Sequence, residues 1–104
     1  MKICILFLTC ANSEDADTIA QSLLEKKLVF CVKKLPVSSS FLWQRKIDHS
    51  DEVLLMMDSV EENFERIKEE VRKLHSYETF VLFSCPVTHT TKEVRVWMKQ
   101  ELQK

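Results

Sequence analysis

Hydrophobic and polar positions along this chain follow two different periods, and the switches between them mark out its elements. Lys2–Thr9 (KICILFLT) is apolar almost without interruption, which at this length and Ile/Phe content predicts a strand buried on both faces. Asn12 or Ser13 then offers an N-cap, with Glu14 and Asp15 in the first turn. Ala16, Ile19, Ala20, Leu23 and Leu24 follow at helical spacing, and Glu25, Lys26 and Lys27 close that segment. Leu28–Val37 is rich in β-formers, Ser38–Ser40 reads as a polar break, and Phe41–Ile47 resumes the strand character. Pro36 lacks a donor and belongs at a strand end, an edge or a bend. Asp48–Asp51 reads as the next turn and Glu52–Asp58 as the next strand.

Ser59 and Glu62 have the spacing of a capping box, ahead of a helical stripe at Val60, Phe64, Ile67, Val71 and Leu74. The other side of that helix carries Glu61, Glu65, Lys68, Glu69, Arg72 and Lys73, a solvated face. Thr79–Val87 predicts a last strand ending at Pro86. Thr90 and Glu93 open a final helix with Val94, Trp97, Met98 and Leu102 on one side. The order β-α-β-β-β-α-β-α predicts one α+β domain over residues 1–104: a ferredoxin-like antiparallel sheet, helices on one face, with an extended central hairpin. The Leu28–Ile47 arm is longer than a compact sheet of this kind needs, and its unpaired edges call for cover from neighbouring subunits.

Composition narrows the function. The formal charge is −1, from 15 basic and 16 acidic residues, so the basic footprint of a nucleic-acid binder is missing. Lys26–Lys27 and Lys33–Lys34 read as solvated edges. The chain has no glycine, which rules out a P-loop and a dinucleotide fingerprint and leaves turns to Asn, Asp, Ser and His. Four cysteines match no zinc spacing. The apolar start is too short to span a membrane and lacks a cleavage site, so the expectation is a reduced protein of the cytoplasm with no membrane insertion.

Several segments, in order, resemble the CutA divalent-cation-tolerance family. Leu23–Pro36 (LLEKKLVFCVKKLP) is similar to its helix end, strand and proline, and Trp43 in FLWQRKI sits where the family carries a hairpin tryptophan. Asp51–Ser59 (DEVLLMMDS) resembles E-V-x-L-x-x-K-T, His75–Glu78 (HSYE) resembles H-P-Y-E, and Pro86–His89 with Trp97 resembles the closing segment. The chain departs from the family at Ser76, Phe80 and Val81, at Arg45 in place of a glycine, and at Lys33 in place of a small or polar residue. The resemblance implies a homotrimer of PII-like architecture, a part in tolerance of copper or another divalent cation, and no enzyme activity.

His75 is the best metal candidate, since a neutral imidazole suits Cu(II) or Zn(II) and Glu78 is three residues on. The resemblance would add a histidine before it and a cysteine near the end of the first strand. Here those positions hold Leu74 and Leu8, with Cys10 two residues later as a substitute ligand. The other role that fits His75 is a helix C-terminal histidine interacting with the last carbonyls. Cys31, Trp43, Tyr77 and Glu78 are the candidate cleft residues. Cys31 also reads as core packing, or as a soft ligand for Cu(I), and Trp43 as a subunit-packing anchor. Cys4 and Cys85 read as core thiols, His49 and His89 as solvent-facing or capping, and Asp48, Asp51 and Glu52 as turn residues. No acid–base pair or nucleophile triad is legible. Two readings follow: a metal-handling trimer, or a signalling or scaffold trimer that binds a protein or small ligand between subunits without a metal site.

Overall fold

The computed structural model describes residues 1–102. Strand β1 (Ile3–Cys10) leads into helix α1 (Ser13–Glu25), and β2 (Cys31–Trp43) and β3 (Lys46–Val60) form one long hairpin. A single 3-10 turn, Glu61–Asn63, then opens α2 (Phe64–Leu74), and β4 (Leu82–Pro86) and α3 (Lys92–Glu101) complete the chain. The strands make one antiparallel sheet in the order β2-β3-β1-β4. This is the expected ferredoxin-like order, with β1 central and β2 and β4 on the edges. Pro36 lies in edge strand β2 and Pro86 ends edge strand β4, where a missing N–H costs no ladder bond.

One face of the sheet carries the core. Cys4, Leu6, Leu8 and Cys10 alternate inward from β1 and meet Leu55 and Met57 of β3. Ala16, Ile19 and Leu23 of α1 and Ile67 and Val71 of α2 close over them. Helix α3 belongs to a second cluster, where Met98 and Leu102 pack on Ile3 and Val60 at one end of the sheet, and Trp97 meets Phe30 edge-on at 5.0 Å.

The prediction that β1 is buried on both faces holds for one face only. Its burial alternates: Ile5, Phe7 and Thr9 are half-buried while their neighbours are fully enclosed. Strand pairing sets Ile5 and Phe7 beside Leu54 and Met56 of β3, Leu35 of β2 and Phe83 of β4, in one apolar layer that no helix covers along most of its length. Cys85, expected in the core, is exposed on this same side of β4, because it pairs with Ile5. Cys31 is half-buried there too, opposite Asp58, and does not enter the core.

The hairpin differs from expectation as well. Neither Ser38–Ser40 nor Asp48–Asp51 breaks the strands: Ser38 pairs with Asp51 and Ser40 with His49, within one continuous ladder. The hydroxyls bond across it, Ser38 to Asp51 at 3.2 Å and Ser40 to the His49 ring at 2.9 Å, so polar residues persist in extended backbone. The turn falls at Gln44 and Arg45, with φ of 51° and 67°. Lys27 is the third residue in this region (φ 58°), and it terminates α1: its N–H bonds to Leu24 O and that of Leu28 to Leu23 O. That is a Schellman ending with lysine where glycine is usual.

Asn12 caps α1, its Oδ1 accepting from Asp15 N at 2.8 Å. The Ser59–Glu62 capping box does not form. Ser59 is still in β3, and its hydroxyl and the Asn63 amide both donate to Leu28 O. The cap of α3 is Thr91, one residue later than the spacing predicts.

Candidate functional site

The C-terminus of α2 delivers His75 and the irregular segment after it to the end of β1. The last helical turn closes with His75 N–H on Val71 O, and the ring then reaches β1, where Nε2 lies 2.8 Å from Thr9 O. Tyr77 N–H donates to Nδ1 at 3.0 Å. An acceptor Nδ1 requires the proton to be on Nε2, so this is a neutral imidazole with both nitrogens engaged inside the chain. The ring also stacks on Phe80 at 5.3 Å and tilts against Tyr77 at 5.0 Å, and the Arg72 guanidinium lies 5.4 Å from the Phe80 centroid. Phe80 departs from the family pattern, and here it supplies the surface that fixes the imidazole plane.

Tyr77 extends the network. Its hydroxyl donates to Glu52 Oε2 at 2.7 Å. Burial, and then the bond to the Glu52 carboxylate, push its phenol up to about 12. Glu52 is only 8% exposed. The sequence reading takes it for a turn residue, and its importance is the main omission of that reading. One signal was available: alternation along β3 puts Glu52 on the same side as Leu54 and Met56, and a carboxylate in an apolar row needs a donor. Cys10 completes the neighbourhood. Burial, with the Asp15 and Glu52 charges adding to it, pushes the thiol up to about 11, which makes it an inert thiol.

The other candidates lie elsewhere. Glu78 is exposed, and Trp43 is at the hairpin tip, 53% exposed, paired with Lys46. Glu52 pairs with Val37, six residues back along β2, which sets the indole roughly 20 Å from the Glu52–Tyr77 pair. Cys31 is at the opposite end of β2, roughly 40 Å from Trp43 along the strand. One protomer therefore brings together His75, Tyr77, Glu52 and Cys10, but not Cys31 or Trp43.

A divalent cation does not fit this protomer's residues as they stand. His75 has no free ring nitrogen, Cys10 is enclosed with a raised thiol, and no group of three or more His, Cys, Asp or Glu among the described residues could hold an ion. Among the described residues, no helix is long and apolar enough to cross a membrane.

The family model described as CutA1 divalent ion tolerance protein matches residues 4–101. The divalent-cation tolerance protein CutA of Archaeoglobus fulgidus is 33% identical over 98 residues, covering 94% of this chain and 96% of that one. The protein of the same name from Thermotoga maritima is 31% identical over 98 residues, covering 94% and 97%. A solved structure described as the periplasmic divalent cation tolerance protein CutA from A. fulgidus superposes with a TM-score of 0.95 at 32% identity, covering 97% of this chain and 99% of that one.

Proposed function

Since this chain belongs to the CutA1 divalent ion tolerance family, we propose that it serves the response to divalent metal ions, copper among them, as a non-enzymatic homotrimer. The observation that carries the assembly is apolar surface left bare. Beside the uncovered sheet face, the hairpin tip exposes Leu42 and Ile47 at 77% and 71% along with Trp43. Large apolar side chains left this exposed mark an interaction site. In the assembly, the working site is a cleft between subunits, with the Glu52–Tyr77–His75 network as one wall and a neighbour's hairpin, carrying Trp43, as another. We place the protein in the cytoplasm, on the support of four unpaired thiols.

One observation favours the second reading, a signalling or scaffold trimer that takes a small ligand or protein segment without holding the cation: both nitrogens of His75 are already used. Calorimetric titration of the assembled protein with Cu(II) and Zn(II) separates the two. A stoichiometric site that disappears in His75→Ala establishes cation binding. Wild-type heats no larger than those of adventitious binding, and unchanged in the variant, favour the reading without a cation site at His75.

A further inference from the structure

At the end of the sheet away from His75, the start of β1, the end of β4 and the beginning of α3 enclose a cavity of about 570 Å³. Lys2 and Thr9 are seven residues apart along extended chain, so roughly 23 Å separates this cavity from the His75 network. Ile3, Pro86 and Val87 give it an apolar wall, and Lys2, Glu61 and Arg95 supply its charged side chains. Backbone N–H groups of the wall are committed within the chain. Glu61 N–H donates to Lys2 O at 2.7 Å, Val87 N–H to Ile3 O at 2.9 Å and Lys2 N–H to Glu62 Oε1 at 3.2 Å, while Pro86 has none. Polar recognition in the cavity therefore falls to side chains.

Two of those side chains are cations without a counter-ion. Among the described residues, neither the Lys2 ammonium nor the Arg95 guanidinium has an ion pair or a hydrogen bond. The one carboxylate in the lining, Glu61, is held through Oε1 by the Ser84 hydroxyl at 2.9 Å. Arg95 is half-buried. A guanidinium partly withdrawn from water loses solvent partners for its five donors and regains them only from an acceptor of matching shape. The helix gives no reason for the charge: Arg95 is the fourth residue of α3, near the end at which the helix dipole disfavours a cation.

We infer that this cavity binds a small organic phosphate monoester, with the Arg95 fork gripping the phosphate and Lys2 adding a second, point charge. A phosphate monoester carries close to two negative charges at neutral pH and offsets both cations, where a carboxylate offsets one. The cavity is within the roughly 300–1,000 Å³ of small-molecule sites, and Ile3, Pro86 and Val87 meet the organic part of the ligand. The site is separate from the inter-subunit cleft proposed above and does not depend on it.

Calorimetric titration of the purified protein in phosphate-free buffer tests this, with phenyl phosphate as the probe and benzoate as its carboxylate counterpart. The expected result is one saturable phenyl phosphate site per chain, with benzoate weaker by about tenfold or more. Arg95→Gln weakens phenyl phosphate by roughly ten- to a hundredfold, the loss of hydrogen bonds to a charged group. Arg95→Lys recovers only part of it, because the charge returns without the fork. Lys99→Gln removes the same charge from an exposed position of α3 outside the cavity and leaves binding unchanged. Circular dichroism verifies that each variant is folded. Phenyl phosphate that does not saturate, or that responds to Lys99→Gln as much as to Arg95→Gln, overturns the proposal. Benzoate that binds as tightly as phenyl phosphate overturns the assignment to a phosphate.

Discussion

His75 works in this structure as a clamp. It joins the end of α2 to β1 through Thr9 and holds the Tyr77 backbone through Nδ1. His75→Ala removes both partners and leaves half-buried groups unsatisfied, a loss of about 1–3 kcal/mol. Thermal unfolding of the variant should show it, at roughly 4–8 °C per kcal/mol for a domain of this size. An unchanged midpoint would return His75 to the status of a free ligand. Tyr77 offers a second check, because it is the sole tyrosine of the chain and phenolate absorbance reports it alone. Its ionisation should come near 12 rather than at the ordinary 10, and Glu52→Gln should lower it. The sign for stability follows. The folded state keeps the proton that the unfolded chain gives up, so Tyr77's contribution is complete below pH 10 and declines as pH climbs toward 12. At this scale the HSYE segment singled out His75 and Tyr77, and the structure brings the two into contact. Glu52 was not, because its role depends on a contact 25 residues away in sequence that no local spacing encodes.

Elements were legible where one period dominates and illegible where a polar residue serves a strand. α1, α2 and β1 follow from spacing alone. The hairpin did not, since serines, aspartates and a histidine read as a turn until the cross-strand hydroxyl bonds are known. Its true turn, at Gln44–Arg45, carried no turn signal, because the chain has no glycine to mark it. Left-handed backbone costs a non-glycine residue about 1 kcal/mol, so Arg45→Gly and Lys27→Gly should each stabilise the fold by up to about that amount. Chemical denaturation reads this as a higher midpoint with an unchanged slope. A lower midpoint for Lys27→Gly would mean that the lysine side chain contributes more than its backbone strain costs. The unformed Ser59–Glu62 box shows the same limit from another side. The motif was present, but Leu28 O, brought close by the fold, claimed the hydroxyl first.

For the whole molecule, β1 is the informative strand. Its uninterrupted apolar run calls for cover on both sides, and the protomer covers one. The mismatch between a sequence written for two buried faces and a chain that buries one is what motivates the proposal that the second cover comes from outside the protomer. Cys85 and Cys31, misplaced to the core by the sequence reading, belong to that second face. Trp43 and Tyr77, grouped by resemblance into one cleft, lie far apart on one chain, and under the proposed assembly they would meet only across neighbouring chains. The molar mass of the purified wild-type protein in solution, taken by light scattering behind a sizing column, tests this most directly: the account predicts three chain masses, and a particle of one chain mass would contradict it.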